Sequence, residues 1–413
     1  MLNWAQQFDI FCFLDNHQYT IQPHSYECVL GAGTQSYINS NENLLSLLDK
    51  YITGIEWVFG HLSYDLKNNF FSPGNNSKED KIGFPDFFFF EPLYIIFIEG
   101  KELIIEGKNP DEIYYQLSET SVDEKFLQSS LLTIEQRLTK EQYINKIRDL
   151  QYHIHRGDCY EINFCQEFFC ENAVIDPIGI YQNLVQLSPT PFSVLYKLND
   201  KYLLCASPER FLQKKANKLL SQPMKGTVKR SLKNKLIDKD LKIQLQKSAK
   251  EQAENVMVVD LVRNDLSKIC KDGTVKVEEL FGIYSYPQVH QMVSTVTGEI
   301  QDNINFSEII EATFPMGSMT GAPKKRVLEL IDEYETSKRG IFSGAVGYLH
   351  ENDFDFNVVI RSIMYNETNG YLSYLVGSGI TFYSDPEKEW EECLLKGEAI
   401  KKVLTESQHF KIY

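Results

Sequence analysis

Two short segments place glutamates three residues apart: Glu251 and Glu254 in KEQAENVM, and Glu389 and Glu392 in EKEWEECLLK. Residues three apart on a helix share a face, so two such helices side by side would bring four carboxylates together. All-oxygen ligation with no nearby histidine suits a hard divalent cation, magnesium before zinc or iron. Lys396 extends the second face by one turn, where its ammonium could meet an anion bound beside the metal. Surface helices carry many glutamate pairs, so the spacing alone leaves a solvated face as the ordinary reading. The segment SQPMKGTVKR sets Lys225 inside what reads as a tight turn facing a pocket. It is either one more surface charge or an amine that does chemistry, and the segment by itself does not choose. Two glycine-rich stretches accompany these groups. FPMGSMTGAPKKR puts Gly317, Ser318, Thr320 and Gly321 ahead of a helix that Pro323 could begin. Backbone N–H groups at such a start bind carboxylates or phosphates. YLVGSGITFYSDPEKEW puts Gly377 and Gly379 at a strand end, where backbone can approach a ligand. Neither has the spacing of a dinucleotide fingerprint or a P-loop.

The elements that must position these groups read as α+β. The first 115 residues or so, within an expected N-terminal region 1–135, read mainly as short strands and turns, with LYIIFIEGKELIIEG predicting a hairpin around Gly100-Lys101 and SPGNNSKED a loop. The polar stretch from Ser118 to Gln136 is the expected boundary, and residues 136–413 are the expected catalytic domain. That part opens with a helix: Thr139 can cap it with Gln142, Tyr143, Ile147, Leu150 and Ile154 recur at helical spacing, and Gly157 can end it. GAVGYLHENDFDFNVVIRSIMYNETNGYLSYLVGSGI predicts an antiparallel meander turning at His350–Asp353 and Asn366–Gly370. KEQAENVMVVDLVRNDL, PKKRVLELIDEYE and EKEWEECLLKGEAIKKVL predict helices covering antiparallel sheets.

Bulk properties narrow the function class. The chain has 413 residues and a formal net charge of −15, which argues against a nucleic-acid-binding surface but leaves room for a basic pocket. Eight cysteines without a C-x-x-C pair fit a reducing compartment. MLNWAQQFDIF lacks a basic region followed by an apolar core, so no signal peptide is expected. The most apolar stretch, FPDFFFFEPLYIIFIEGKELIIEG, is broken by Asp86, Glu91, Pro92 and Glu99, and no segment reaches the roughly 20 apolar residues of a spanning helix. A cytoplasmic enzyme without a membrane partner is expected.

Taken together, GDCYEINF, CASPERFL, QPMKGTVKR, KEQAENVMVVDLVRNDLSKI, FPMGSMTGAPKKRVLELID, RGIFSGAVGYL, NVVIRSI and VGSGITFYSDPEKEWEE stand in the order seen in chorismate-utilising enzymes. The resemblance runs from about Thr139 to Leu404, and GHLSYDLKNNF resembles the N-terminal region of aminodeoxychorismate synthase component I. It implies two large antiparallel β-sheets packed as a sandwich with helices outside. It also implies magnesium between a ring carboxylate and Glu254 and Glu392, with Glu251 and Glu389 completing the shell through water. Arg361 and Lys396 match positions that bind substrate carboxylates. Gly226, Thr227, Thr320, Gly321, Gly377, Gly379 and Gln291 fall at or beside pocket-lining positions. Glu209 matches the general acid, which must keep a raised pKa.

Lys225 carries the choice of branch. A nucleophile attacking C2 of chorismate pushes electrons through the diene and expels the C4 hydroxyl. Delivering nitrogen to C4 calls for a second displacement, and an enzyme amine that first adds at C2 supplies the route. The anthranilate branch typically has alanine where this chain has Lys225, and the aminodeoxychorismate branch has lysine. The resemblance thus implies amination of chorismate at C4, toward 4-aminobenzoate and folate, with ammonia from a separate glutamine amidotransferase. Anthranilate synthesis, or a silent chorismate-binding subunit, would be the alternatives. Burial and magnesium are expected to lower the pKa of Lys225 so that its amine is neutral. Three departures stand out. Gln291 replaces the family's usual histidine while His290 points to the other strand face, Phe342 replaces tyrosine, and no leucine-rich motif for tryptophan regulation is found.

Overall fold

The computed structural model describes residues 1–19, 26–39, 44–71, 78–119, 132–286 and 289–406. Two antiparallel sheets, one of eleven strands and one of ten, form its frame. The expected α+β sandwich is what the chain builds. In the first sheet, Glu161–Cys170 and Tyr371–Thr381 run side by side over ten residue pairs. Every residue of Glu161–Cys170 is buried, because its two faces meet different neighbours. Phe164 and Phe168 pack outward beneath helices, with Tyr143, Leu330 and Trp390 in the same cluster. Cys165 and Phe169 point inward to the core between the sheets, with Phe59, Phe89 and Phe356. This is the two-residue alternation of a strand covered on both sides.

Local signals set many of the ends. Gln142 donates its backbone N–H to Thr139 Oγ1 at 3.2 Å and takes the Thr139 N–H on its own side chain at 2.9 Å. The helix Lys140–Arg156 then stops at Gly157, with φ of 83°. The hairpin strands Tyr94–Glu99 and Glu102–Glu106 turn at Gly100-Lys101, as their composition predicts. The three helical patterns become Ala249–Ser267, Lys324–Tyr334 and Pro386–Thr405.

The expected C-terminal meander is corrected. Its first hairpin, Ala345–His350 with Asp353–Asn357, belongs to the second sheet, and its second, Ser362–Asn366 with Tyr371–Thr381, belongs to the first. The chain changes sheets between them, through residues 358–361. A matching change occurs where Lys201–Ser207 of the first sheet passes through Pro208 and Glu209 into Arg210–Lys215 of the second. The crossings brace each other: Val358 donates to the Glu209 carbonyl at 3.0 Å and Ala206 to the Arg361 carbonyl at 3.1 Å. Arg361 sits there with φ of 50°, a left-handed backbone that the crossing imposes.

Strands from both sides of the expected boundary at 135/136 share both sheets. Ile10–Asp15 pairs with Phe192–Leu198, and Trp57–Leu62 pairs with Ala345–His350. Within the boundary stretch, residues 120–131 lie outside the described residues, as do residues 72–77 of the expected loop.

Candidate active site

Lys225 leaves the second sheet and reaches the first. Its strand, Met224–Lys229, pairs with Val289–Glu299, but the register shifts between Met224 and Thr227. Gly226 takes φ of 83° inside that bulge. A bulge re-aims the side chain it carries. The Lys225 ammonium donates to Glu161 Oε1 at 2.5 Å, and the side chains are 12% and 2% exposed. Gly379 makes the room: a Cβ there would stand 2.5 Å from Glu161 Oε1 and 2.9 Å from Lys225 Nζ. Gly226 does the same on the other side, where a Cβ would lie 2.8 Å from Glu251 Oε2. These glycines admit charged side chains rather than open a loop.

Without a metal, the state of Lys225 is set by the balance of burial and its carboxylate neighbours. Burial works to lower its pKa, but Glu161, Glu254 and Glu209 together raise it above the usual lysine range. Before any ligand binds, Lys225 is therefore a largely enclosed ammonium. Glu209, at the crossing between sheets, behaves as expected. Burial pushes its carboxyl up to about 7, against the opposing pull of Ser318, Lys225 and Arg361. Arg361 forms no ion pair among the described residues, and burial lowers its pKa against Tyr286 and Glu209. It is a cation held without a counter-charge in contact, facing the same space as Glu209.

The four helix glutamates gather around one lysine. Lys250 Nζ lies 3.7 Å from Glu254 Oε1 and 4.0 Å from Glu389 Oε1, so the helices Ala249–Ser267 and Pro386–Thr405 do face each other. Burial raises the carboxyl pKa of Glu251, and takes that of Glu254 up to about 7. Glu392 is lowered by Lys396, its partner at 2.8 Å. The buried Glu254 Oε1 accepts no hydrogen bond among the described residues. Among those residues, no three His, Cys, Asp or Glu side chains stand close enough together to hold a metal ion by themselves. The glutamates form an acidic wall in which Glu254 Oε1 has a distant ammonium but no hydrogen-bond donor, which fits a cation whose remaining ligands come from substrate and water.

Other predicted positions have mainly structural partners. Thr227 donates to Gln291 Oε1 at 2.8 Å, and Gln291 Nε2 donates to the Gly226 carbonyl at 2.9 Å. Gln291 thus clamps the Lys225 bulge. His290 faces away, between Ser285 and Asp238. The Thr320 hydroxyl is spent on the Met316 carbonyl, and the Gly377 carbonyl accepts from Lys396. A Cβ on Gly321 would strike the Glu161 carbonyl, so this glycine lets its segment lie against Ile162. Phe342 is buried in the core between the sheets.

Glu161, Tyr286 and Lys250 were not assigned from sequence. Glu161 had a readable signal, since EINFCQE sets Glu161, Asn163 and Glu167 on one face of a strand whose other face carries Ile162 and Phe164. Its partner lies 64 residues away, beyond the reach of any local pattern.

A family model described as chorismate binding enzyme matches residues 14–402. The chain is 40% identical over 265 residues to the chloroplastic aminodeoxychorismate synthase of Arabidopsis thaliana, covering 63% of this chain and 28% of that protein. It is 38% identical over 268 residues to aminodeoxychorismate synthase component 1 of Escherichia coli (strain K12), covering 65% of this chain and 58% of that one. The chain thus spans little more than half of the longer match and under a third of the other. Its fold is similar to the crystal structure of anthranilate synthase component I from Streptococcus pneumoniae TIGR4, with a TM-score of 0.81, 23% identity and 95% of each chain covered. With the match running through nearly all of both sheets, the chain belongs to the family of chorismate binding enzymes.

Proposed function

We propose that this chain aminates chorismate at C4, as component I of an aminodeoxychorismate synthase. The observation that carries the reading is the buried Lys225–Glu161 pair, set beside Glu209 and Arg361. Arg361, without an ion partner among the described residues, takes a substrate carboxylate. Glu161 is the base in contact with Lys225, and it accepts the proton that the ammonium must lose. The freed amine adds at C2, the diene shifts, and the C4 hydroxyl leaves as water with the proton of Glu209. Ammonia then adds at C4, the double bonds shift back, and Lys225 departs from C2 as the amine, protonated again. A magnesium ion held by Glu254 and Glu392, with Glu251 and Glu389 behind them, would bind a ring carboxylate and offset the glutamates that keep Lys225 charged.

The component 1 name of the bacterial relative supports a separate glutaminase partner as the ammonia source. Among the described residues no helix is long and apolar enough to cross a membrane. All eight cysteines are free and buried, which supports a reducing, cytoplasmic setting. The test is product identity. Purified chain with chorismate, magnesium and ammonium should yield 4-amino-4-deoxychorismate by chromatography and mass. Anthranilate would overturn the C4 reading, and no turnover would overturn the enzymatic one.

A further inference from the structure

We infer that the stretch from Lys229 to Lys250 is an electropositive lip that draws the anionic substrate to the site, an inference resting on the chorismate reading above. These residues carry eight lysines and arginines against two aspartates, in a chain whose net charge is −15. Arg230 is neutralised by Asp238 at 2.8 Å, and Lys250 lies against Glu254. Lys229, Lys233, Lys235, Lys239, Lys242 and Lys247 are exposed, and none forms an ion pair among the described residues. The helix Lys235–Lys247 packs on the strand that carries Lys225 and on the helix that carries Glu251 and Glu254. Arg230 ties the start of this stretch to the Tyr286 carbonyl at 3.0 Å, beside Arg361.

The site behind this lip needs such a field. Among the described residues, the cations acting on the carboxylates Glu161, Glu209, Glu251, Glu254, Glu389 and Glu392 include Lys225, Lys250, Arg361 and Lys396, four against six. Chorismate is a dianion, and an excess of carboxylates repels it on approach. Uncompensated cations at a cleft raise the local concentration of an anionic ligand and speed its arrival. The benefit is confined to charges within about a Debye length, roughly 8 Å at physiological salt, and fades as salt rises.

The test compares wild type with a Lys233→Glu/Lys239→Glu/Lys242→Glu variant and the matching triple glutamine variant. Chorismate turnover is followed with magnesium and a fixed ammonium concentration, at ionic strengths from about 50 to about 500 mM. The glutamate variant should lose about three- to tenfold in kcat/KM at low salt with kcat unchanged, and the loss should vanish at high salt. The glutamine variant should show about half that loss on a logarithmic scale. Wild-type turnover with variants that match it at every salt overturns the lip and leaves the C4 reading standing, as does a loss in kcat that salt does not relieve. Absence of turnover in the wild type overturns the chorismate reading and the lip with it.

Discussion

Replacing Gly379 with alanine should disable the Lys225 site by about one ångström of crowding. The added Cβ would stand 2.5 Å from Glu161 Oε1 and 2.9 Å from Lys225 Nζ, where ordinary contact begins at 3.4 Å. Something must move by roughly 1 Å. Glu161 is almost wholly enclosed in a strand buried along its length, whereas Lys225 ends a flexible chain with some exposure. The Glu161 carboxylate must therefore turn away from the Cβ, and the more mobile Lys225 follows it, so the pair is displaced without separating. Full rupture of a buried pair would cost about 3–5 kcal/mol, but overpacking that a side chain relieves costs about 1–3 kcal/mol. We expect the lower range, read as the free energy of urea unfolding. Activity should fall more steeply, because a misplacement of roughly 1 Å can cost about 100-fold. Gly377→Ala is the control, since its Cβ would press on Phe164 and Cys165 and not on Lys225. It should destabilise at least as much, because its Cβ would lie 2.4 Å from the Phe164 carbonyl of the backbone, yet retain a larger share of kcat. A Gly379→Ala enzyme with wild-type kcat, or with no larger loss than Gly377→Ala, would refute the reasoning.

Two further predictions concern protons. Glu209, with its pKa near 7, is a competent acid below that pH and loses its proton above it, so kcat should decline as pH rises through about 7. Glu209→Gln should lower kcat by about 10²–10⁴, and its residual rate should lack that alkaline limb; retention of the limb would assign it to another group. Metal-free stability should also depend on pH. Glu209 and Glu254 have folded pKa values raised from 4.5 to about 7, so the folded state holds protons that the unfolded state releases. Their contribution is complete below about 4.5, is lost as pH rises toward 7, and is level above, by roughly 1–3 kcal/mol per group. Magnesium added at pH 8 should restore stability, and Glu254→Gln should flatten both responses in thermal unfolding scans. An unchanged magnesium response in that variant would place the ion elsewhere.

Signals confined to a few residues were legible in the sequence. Thr139 and Gln142 close a capping box, Gly157 stops the helix, and the turns at Gly100-Lys101, His350–Asp353 and Asn366–Gly370 join strands as their composition predicts. The glutamate spacing correctly implied two facing helices, now joined through Lys250. Sheet membership was not legible, because a turn specifies which strands form a hairpin and not which sheet receives it. The crossings at Glu209 and Arg361 were therefore missed, although they bring an acid and a cation to one seam. The carboxylate that holds Lys225 charged in the absence of a metal was out of reach for a related reason. Burial was anticipated and lowers the pKa, but the opposing carboxylate comes from a strand 64 residues earlier. Gln291, read as a contact to substrate, spends its amide on Thr227 and Gly226, a role that the bulge creates.

The account rests most directly on Lys225 as the nucleophile. Incubation with chorismate and magnesium but no ammonium leaves the first displacement without its successor. Intact-mass measurement followed by peptide mapping should then show one adduct, chorismate less one water, on Lys225. Lys225→Ala should carry no adduct and make no 4-amino-4-deoxychorismate when ammonium is supplied. An unmodified Lys225, together with undiminished amination by Lys225→Ala, would contradict the account.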